Sequence, residues 1–182
     1  MQLSLSLLFG GLAVTADLDG FDLAILAILQ HNNLTPQREI AEQVHLSPAA
    51  VQRRIKRLHE SGVIAANSAQ LSPEALGRPL TIMIEVQLVN ELDALTAGFR
   101  ARVAAEAAVQ QCYAVTGQTD YLLIVTAADM QEYQAIADRL LGGDQNIQRF
   151  NTAIALATLK RSLHLPLPAS MPASSSSQKL QN

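Results

Sequence analysis

The segment LTPQREIAEQVHLSPAAVQRRIKRLHESGVI, Leu34 to Ile64, constrains the chain more than any other. Thr35 followed by Pro36, and Ser47 followed by Pro48, are two helix-start signals in close succession, each with a hydroxyl cap and a proline at the first helical position. Ile40, Ala41 and Val44 supply an inward face for the first of these helices. Val51, Ile55 and Leu58, spaced i, i+4 and i+7, supply one for the second, which Ser61-Gly62 ends. Upstream, Asp19 can cap a helix running to Gln30, with Asp22 in its first turn and Leu18, Phe21, Ile25, Ile28 and Leu29 on one side. Three short helices with a tight turn between the second and third make a helix-turn-helix. Val63 to Leu71 can follow as a small β-wing.

The third helix puts cations where a groove-reading helix needs them. Four of the five residues from Arg53 to Arg57 are basic, and Ala49, Gln52, Arg53 and Lys56 lie opposite the apolar stripe. Arg57 falls on one shoulder and Arg54 on the flank, and both are expected among the DNA-binding residues. Gln52 and Arg53 can reach base edges, Lys56, Arg57 and the capped end at Ser47 can meet phosphates, and Ala49 permits close approach. A charged outer face is often merely solvated. Here the preceding capped helix, the turn and the near absence of acids favour double-stranded DNA. With a net charge of −3 over 182 residues, any such site must be a local patch.

After Ser72-Pro73 the pattern changes. Thr81 to Val89 alternates, with Ile82, Ile84, Val86 and Leu88 facing one way, and reads as a half-buried strand. Glu91 to Ala108 reads as a helix. Gln110 to Thr116 and Asp120 to Thr126 read as a hairpin turning at Gly117-Gln118-Thr119. Asp129 to Leu141 is a second helix stopped by Gly142-Gly143, and Ile147 to Leu159 a last strand. The order βαββαβ predicts a ferredoxin-like α+β sandwich whose open sheet face needs a partner, most simply a second copy. The expected division is an extension over 1–16, a winged helix-turn-helix over 17–66, a linker over 67–78, the ferredoxin-like domain over 79–165 and a Pro/Ser-rich, disordered tail over 166–182.

A second candidate site is Gly117-Gln118-Thr119-Asp120. Backbone N–H groups of the turn can take a carboxylate and Asp120 an ammonium, although the same residues also suit a plain hairpin turn. Catalytic and metal chemistry find little footing. The four histidines lack metal-ligand spacing, no Gly-rich phosphate loop is present, and the lone Cys112 reads as a small buried hydrophobe, which excludes an internal disulfide and suits a reducing cytoplasm. No cofactor is expected. The start MQLSLSLLFGGLAV lacks the cationic residues of a secretory signal and is too short to span a bilayer, so an upstream extension or an early start codon is expected and no membrane partner.

Together these motifs resemble the Lrp/AsnC, or feast/famine, family of transcription regulators over about Leu18 to Leu165. The resemblance rests on LDGFDLAIL at the first helix, LSPAAVQRRIKRLHESGVI at the third, LSPEALG in the linker, and VTGQTDYLL followed by DMQEY in the second domain. His45 stands where the family's turn usually has glycine. The family implies a winged helix-turn-helix and a ligand-binding domain of the fold above. It implies dimers assembling into tetramers, octamers or larger, with an amino acid or related metabolite between dimers. Carried over, Gly117, Gln118, Thr119 and Asp120 would line the effector pocket, with Met130, Thr152 and Ile154 beside it. An enzyme on the same frame, similar to the siroheme decarboxylases, is the alternative. It needs His and Arg around a tetrapyrrole, and no His occurs between Pro79 and Leu163.

Overall fold

A computed structural model describes residues 17–168, which divide into two compact units. The proposed extension over 1–16 and nearly all of the proposed tail lie outside the described residues. The first unit ends at Ser68 and is rejoined by the chain from Ser162; Ala69–Arg161 forms the second. Residues 162–165, expected in the second domain, therefore pack with the first. There Gln30 Nε2 donates to the Leu165 carbonyl at 3.2 Å while the Leu165 N–H donates to Gln30 Oε1 at 3.1 Å.

Helix α1 (Gly20–His31) begins with a reciprocal capping box, in which the Asp19 and Asp22 carboxylates each accept the other's backbone N–H. Helix α2 (Gln37–Val44) departs from expectation at its start. Pro36 itself is the cap residue and no side chain caps the helix, because the Thr35 hydroxyl is turned back to the Asn32 carbonyl at 2.8 Å. Helix α3 (Pro48–Glu60) has the expected cap, Ser47 Oγ accepting from Ala50 N–H at 3.2 Å. Ile25, Ile40, Ala41, Val44, Val51 and Leu58 form the buried centre of this unit. Phe21, expected in that core, is 45% exposed and lies under the Arg54 guanidinium, 5.4 Å from its ring centre. The wing does not form as paired strands. Val63 and Ile64 pack onto the helical core instead, and the run Ala65-Ala66-Asn67-Ser68 offers neither β-branched side chains nor a second strand to pair with.

The second unit is the expected βαββαβ fold. Strands β1 (Leu80–Leu88), β2 (Val109–Ala114), β3 (Tyr121–Ala127) and β4 (Ile147–Ile154) form one antiparallel sheet in the order β2-β3-β1-β4. Helices α4 (Asp93–Ala105) and α5 (Met130–Leu141) join them. The expected alternation holds in β1, where Ile82, Ile84, Val86 and Leu88 are buried with Phe99, Leu123, Val125, Ile136 and Leu140. Strand β4 stops before the expected Leu159 because its partner runs out. The last rung is Ala155 N–H to the Thr81 carbonyl at 2.9 Å, and β1 begins only one residue earlier. Cys112, expected to be buried, is exposed on edge strand β2; partial desolvation still pushes its thiol pKa up, which keeps thiolate scarce.

The face of the sheet away from the core carries Met83, Glu85 and Gln87 of β1. The pairing register sets Ile124 and Leu122, then Gln111 and Tyr113, to one side of them and Ala153, Asn151 and Arg149 to the other. The face is mixed: Met83, Ile124, Leu122, Tyr113 and Ala153 are apolar, while Glu85 stands exposed on the central strand and Arg149 Nε donates to Gln87 Oε1 at 2.7 Å.

Candidate nucleic-acid interface and hairpin site

Helix α3 is held to the unit by Val51 and Leu58, with Ile55 partly buried, so its far side is free. Ser47, Ala49, Gln52, Arg53 and Lys56 are all exposed there. The turn that aims α3 passes through His45, whose φ of 55° and ψ of 43° put it in the left-handed region. It is the one non-glycine residue with positive φ in the described chain. The Leu46 N–H then donates to the Ala41 carbonyl at 3.0 Å, which closes the end of α2 as a Schellman-type bond. A histidine thus occupies a position where glycine carries no strain.

The four cations of α3 split into two pairs. Arg53 and Lys56 point outward, Lys56 lying 3.7 Å from Glu60 one turn on. Arg54 and Arg57 turn back to α1. Arg54 Nη1 donates to Asp22 Oδ1 and to Asp19 Oδ2, both at 2.8 Å, and Arg57 Nη2 donates to Asp22 Oδ2. The Asp22 side chain is wholly buried, whereas those of Arg54 and Arg57 keep 23% and 53% of their surface exposed. Partial burial lifts Asp19, but the Asp22 N–H and the Arg54 guanidinium outweigh it and hold the carboxyl below its usual range. The Asp22 carboxylate raises Arg54 against the opposing effect of burial, with Asp19 adding to it. Arg54, expected at the DNA from its place on the flank of α3, is instead committed to Asp22 and Asp19 of α1. The signal for this contact was there in sequence, an acid next to the apolar face of α1 and two arginines at the edge of α3.

In the second unit, Gly117 turns the β2–β3 hairpin at φ 127°, with open space where a Cβ would stand. Asp120 is not a free carboxylate. Its backbone N–H donates to the Val86 carbonyl at 2.9 Å and its Oδ2 accepts the Leu88 N–H at 2.6 Å. Glu91 lies beside it, and desolvation together with the hydrogen bond and charge of Asp120 pushes the Glu91 carboxyl up. This neighbour, missed from the sequence, makes a carboxyl pair at the base of the hairpin.

The remaining expected effector residues are not gathered around that hairpin within one chain. Asp120 bonds at Val86, Thr152 pairs with Ile84, and Ile154 pairs with Ile82. At about 3.3 Å per residue, Ile154 lies roughly 13 Å along β1 from Asp120. Met130 opens α5 beyond the far end of β3, 44% exposed. Thr152 shares the face of Ile84 and is hydrogen-bonded to the Tyr133 hydroxyl of α5. Near that same end, a cleft of about 330 Å³ is lined by Arg78, Glu106, Gln110, Thr126 and Glu132. Its charges are already matched, Arg78 to Glu132 at 2.9 Å and Glu106 to Arg139 at 2.8 Å.

Residues 18–65 match the family model for winged helix-turn-helix DNA-binding, and residues 81–165 match that for the Lrp/AsnC ligand binding domain. The chain is 38% identical over 151 residues to an uncharacterized HTH-type transcriptional regulator of Sinorhizobium fredii, covering 83% of this chain and 89% of the relative. It is 33% identical to the leucine-responsive regulatory protein of Haemophilus influenzae over 82% of its length and 90% of that protein's. A transcriptional regulator from Neisseria meningitidis, solved as its L-Met complex, superposes with a TM-score of 0.77 at 32% identity, over 82% of this chain and 96% of that one. By both domains and by near full-length relatives, the chain belongs to the Lrp/AsnC family of transcriptional regulators.

Proposed function

We propose that the protein is a sequence-specific DNA-binding regulator whose α3 enters the major groove, and that a small metabolite modulates it. The observation that carries this is the exposed row Ala49, Gln52, Arg53 and Lys56 on a helix whose opposite side is buried and whose amino end is capped by Ser47. Gln52 and Arg53 have the reach and donors for base edges, Lys56 and the N–H groups after Ser47 those for phosphates, and Ala49 leaves room for a base or thymine methyl. Arg57, half-exposed, borders this surface; Arg54 serves it from behind by fixing α3 to α1.

The effector is an amino acid or a related metabolite. In support, the Glu91–Asp120 carboxyl pair suits an ammonium and the hairpin N–H groups suit a carboxylate. Because Asp120 and Ile154 lie roughly 13 Å apart along β1 within one chain, the pocket is completed between copies. One copy gives the hairpin and another gives Met130, Thr152 and Ile154. The apolar part of the open sheet face, Met83, Leu122, Ile124 and Tyr113, supports a homodimer, and dimers assemble further into tetramers, octamers or larger, so that a ligand bridging them shifts the assembly. Such a regulator works in the cytoplasm, needs no cofactor and catalyses no reaction. No helix among the described residues is long and apolar enough to cross a membrane. The siroheme decarboxylase alternative gains no support, since residues 80–163 contain no histidine.

The test is competition between the DNA upstream of the protein's own gene and random duplex of equal length. Preferential binding upholds the reading, and equal affinity for both overturns it.

A further inference from the structure

We infer that Asp22, assisted by Asp19, sets DNA specificity by withholding Arg54 and part of Arg57 from the phosphate backbone. The inference rests on the DNA-binding reading above. Two carboxylates and two guanidinium groups cancel in charge at the seam between α1 and α3. The Asp22 carboxylate is fully buried and accepts from three donors, Arg54, Arg57 and the Asp19 N–H. Arg54 is clamped on three sides, by Asp22, by Asp19 and by the face of Phe21. A guanidinium held this way cannot extend to a phosphate without giving up its bonds to two carboxylates and leaving the buried Asp22 anion to Arg57 alone. Of four cations on α3, therefore, only Arg53 and Lys56 project freely, and Lys56 has Glu60 within 3.7 Å.

This arrangement has a functional consequence. Backbone neutralisation supplies essentially all non-specific affinity, and every additional phosphate contact strengthens binding to all sequences alike. A regulator that must find one site among very many benefits from a reading helix with few free cations and its base-reading side chains held at a fixed angle. Asp22 does both through the same contacts. It is a positioning residue that also lowers the number of cations available to phosphate.

The experiment measures affinity for random duplex over a range of salt concentrations, using the full chain and circular dichroism to check folding. Asp22→Asn keeps the shape, frees Arg57 and leaves Arg54 only its bond to Asp19 and its stacking on Phe21, so its log–log slope should steepen by roughly 0.9 for each arginine released. Its random-duplex affinity near 0.1 M salt should rise by up to roughly tenfold per arginine, and the preference for the upstream site should fall. Adding Arg54→Gln to that variant should reverse about half of the change. In the otherwise unaltered protein, Arg54→Gln should shift the slope far less than Lys56→Gln does, since Lys56 is the cation assigned to phosphate. A purely structural role for Asp22 would give weaker binding with the slope unchanged or shallower, and that result overturns the inference. If Asp22→Asn does not fold, the single variants Arg54→Gln and Lys56→Gln decide it: equal losses of slope overturn it. A wild-type slope near zero would instead remove the DNA-binding reading itself.

Discussion

Arg54 Nη1 on α3 lies 2.8 Å from Oδ1 of Asp22, a carboxylate with no exposed surface on α1. That bond crosses the seam on which the angle of the reading helix depends. Hydrogen bonds to charged groups contribute about 1.5–3 kcal/mol. Arg54→Ala should therefore destabilise the first unit by about that amount, with Arg57 left to hold Asp22. Urea unfolding followed by circular dichroism reads this directly. A change below about 0.5 kcal/mol, the ordinary range for surface substitutions, would mean the pair carries little.

Acid should loosen both units. Asp19 is held below its usual range because its hydrogen bonds from Asp22 N–H and Arg54 outweigh its partial burial; Asp144 is held down chiefly by the Arg102 guanidinium. A carboxyl depressed in the folded state contributes stability that is present above its unfolded pKa and lost as pH falls through its folded pKa. Melting temperatures should stay level from pH 7 to about 5 and decline below about 4. Asp144→Asn should flatten the decline for the second unit, and Asp19→Asn for the first. A decline equally steep in both variants would contradict these assignments.

His45 should be improvable. Its left-handed conformation costs a residue with a Cβ about 1–2 kcal/mol, partly offset by the greater unfolded-state freedom of glycine. His45→Gly is expected to raise stability by roughly 0.5–1 kcal/mol, seen as a higher denaturation midpoint with unchanged slope. A lower midpoint would show that the imidazole makes a compensating contact.

The hairpin site can be probed without knowing the ligand. A thermal-shift screen of the amino acids should find at least one that stabilises the protein, by about 2.7 kcal/mol at one hundred times its Kd, with a concurrent change in assembly size. Asp120→Ala should abolish that response and also leave the Leu88 N–H without its 2.6 Å acceptor. Glu91→Gln, which leaves that acceptor in place, should weaken the response with little loss of basal stability. A response unaltered by either change would move the ligand away from the hairpin.

Where the fold was legible in sequence, a local chemical signal was sufficient. Asp19, Ser47 and Asp129 mark helix starts by capping the backbone, Gly62 marks an end at φ 74°, and alternation alone identifies the buried face of β1. The failures share a different cause, since each depends on a partner distant in sequence. The length of β4 is set by where β1 begins. The wing lacks a strand to pair with, and Thr35 gives its hydroxyl to Asn32 instead of the helix. The outward face of α3 follows from its own periodicity, yet the diversion of Arg54 and Arg57 needs α1 beside it. Likewise, Glu91 meets Asp120 only because β1 ends next to the hairpin.

The central claim is that the exposed face of α3 reads DNA, and Arg53→Ala tests it most directly. Binding of the variant to the upstream DNA and to random duplex should be compared with wild type at one fixed salt concentration. The account predicts a loss of about 1–3 kcal/mol on the upstream site, with relaxed preference at one base position and a smaller loss on random duplex. An equal loss on both would make Arg53 a phosphate contact. Unchanged affinity for both would contradict the claim.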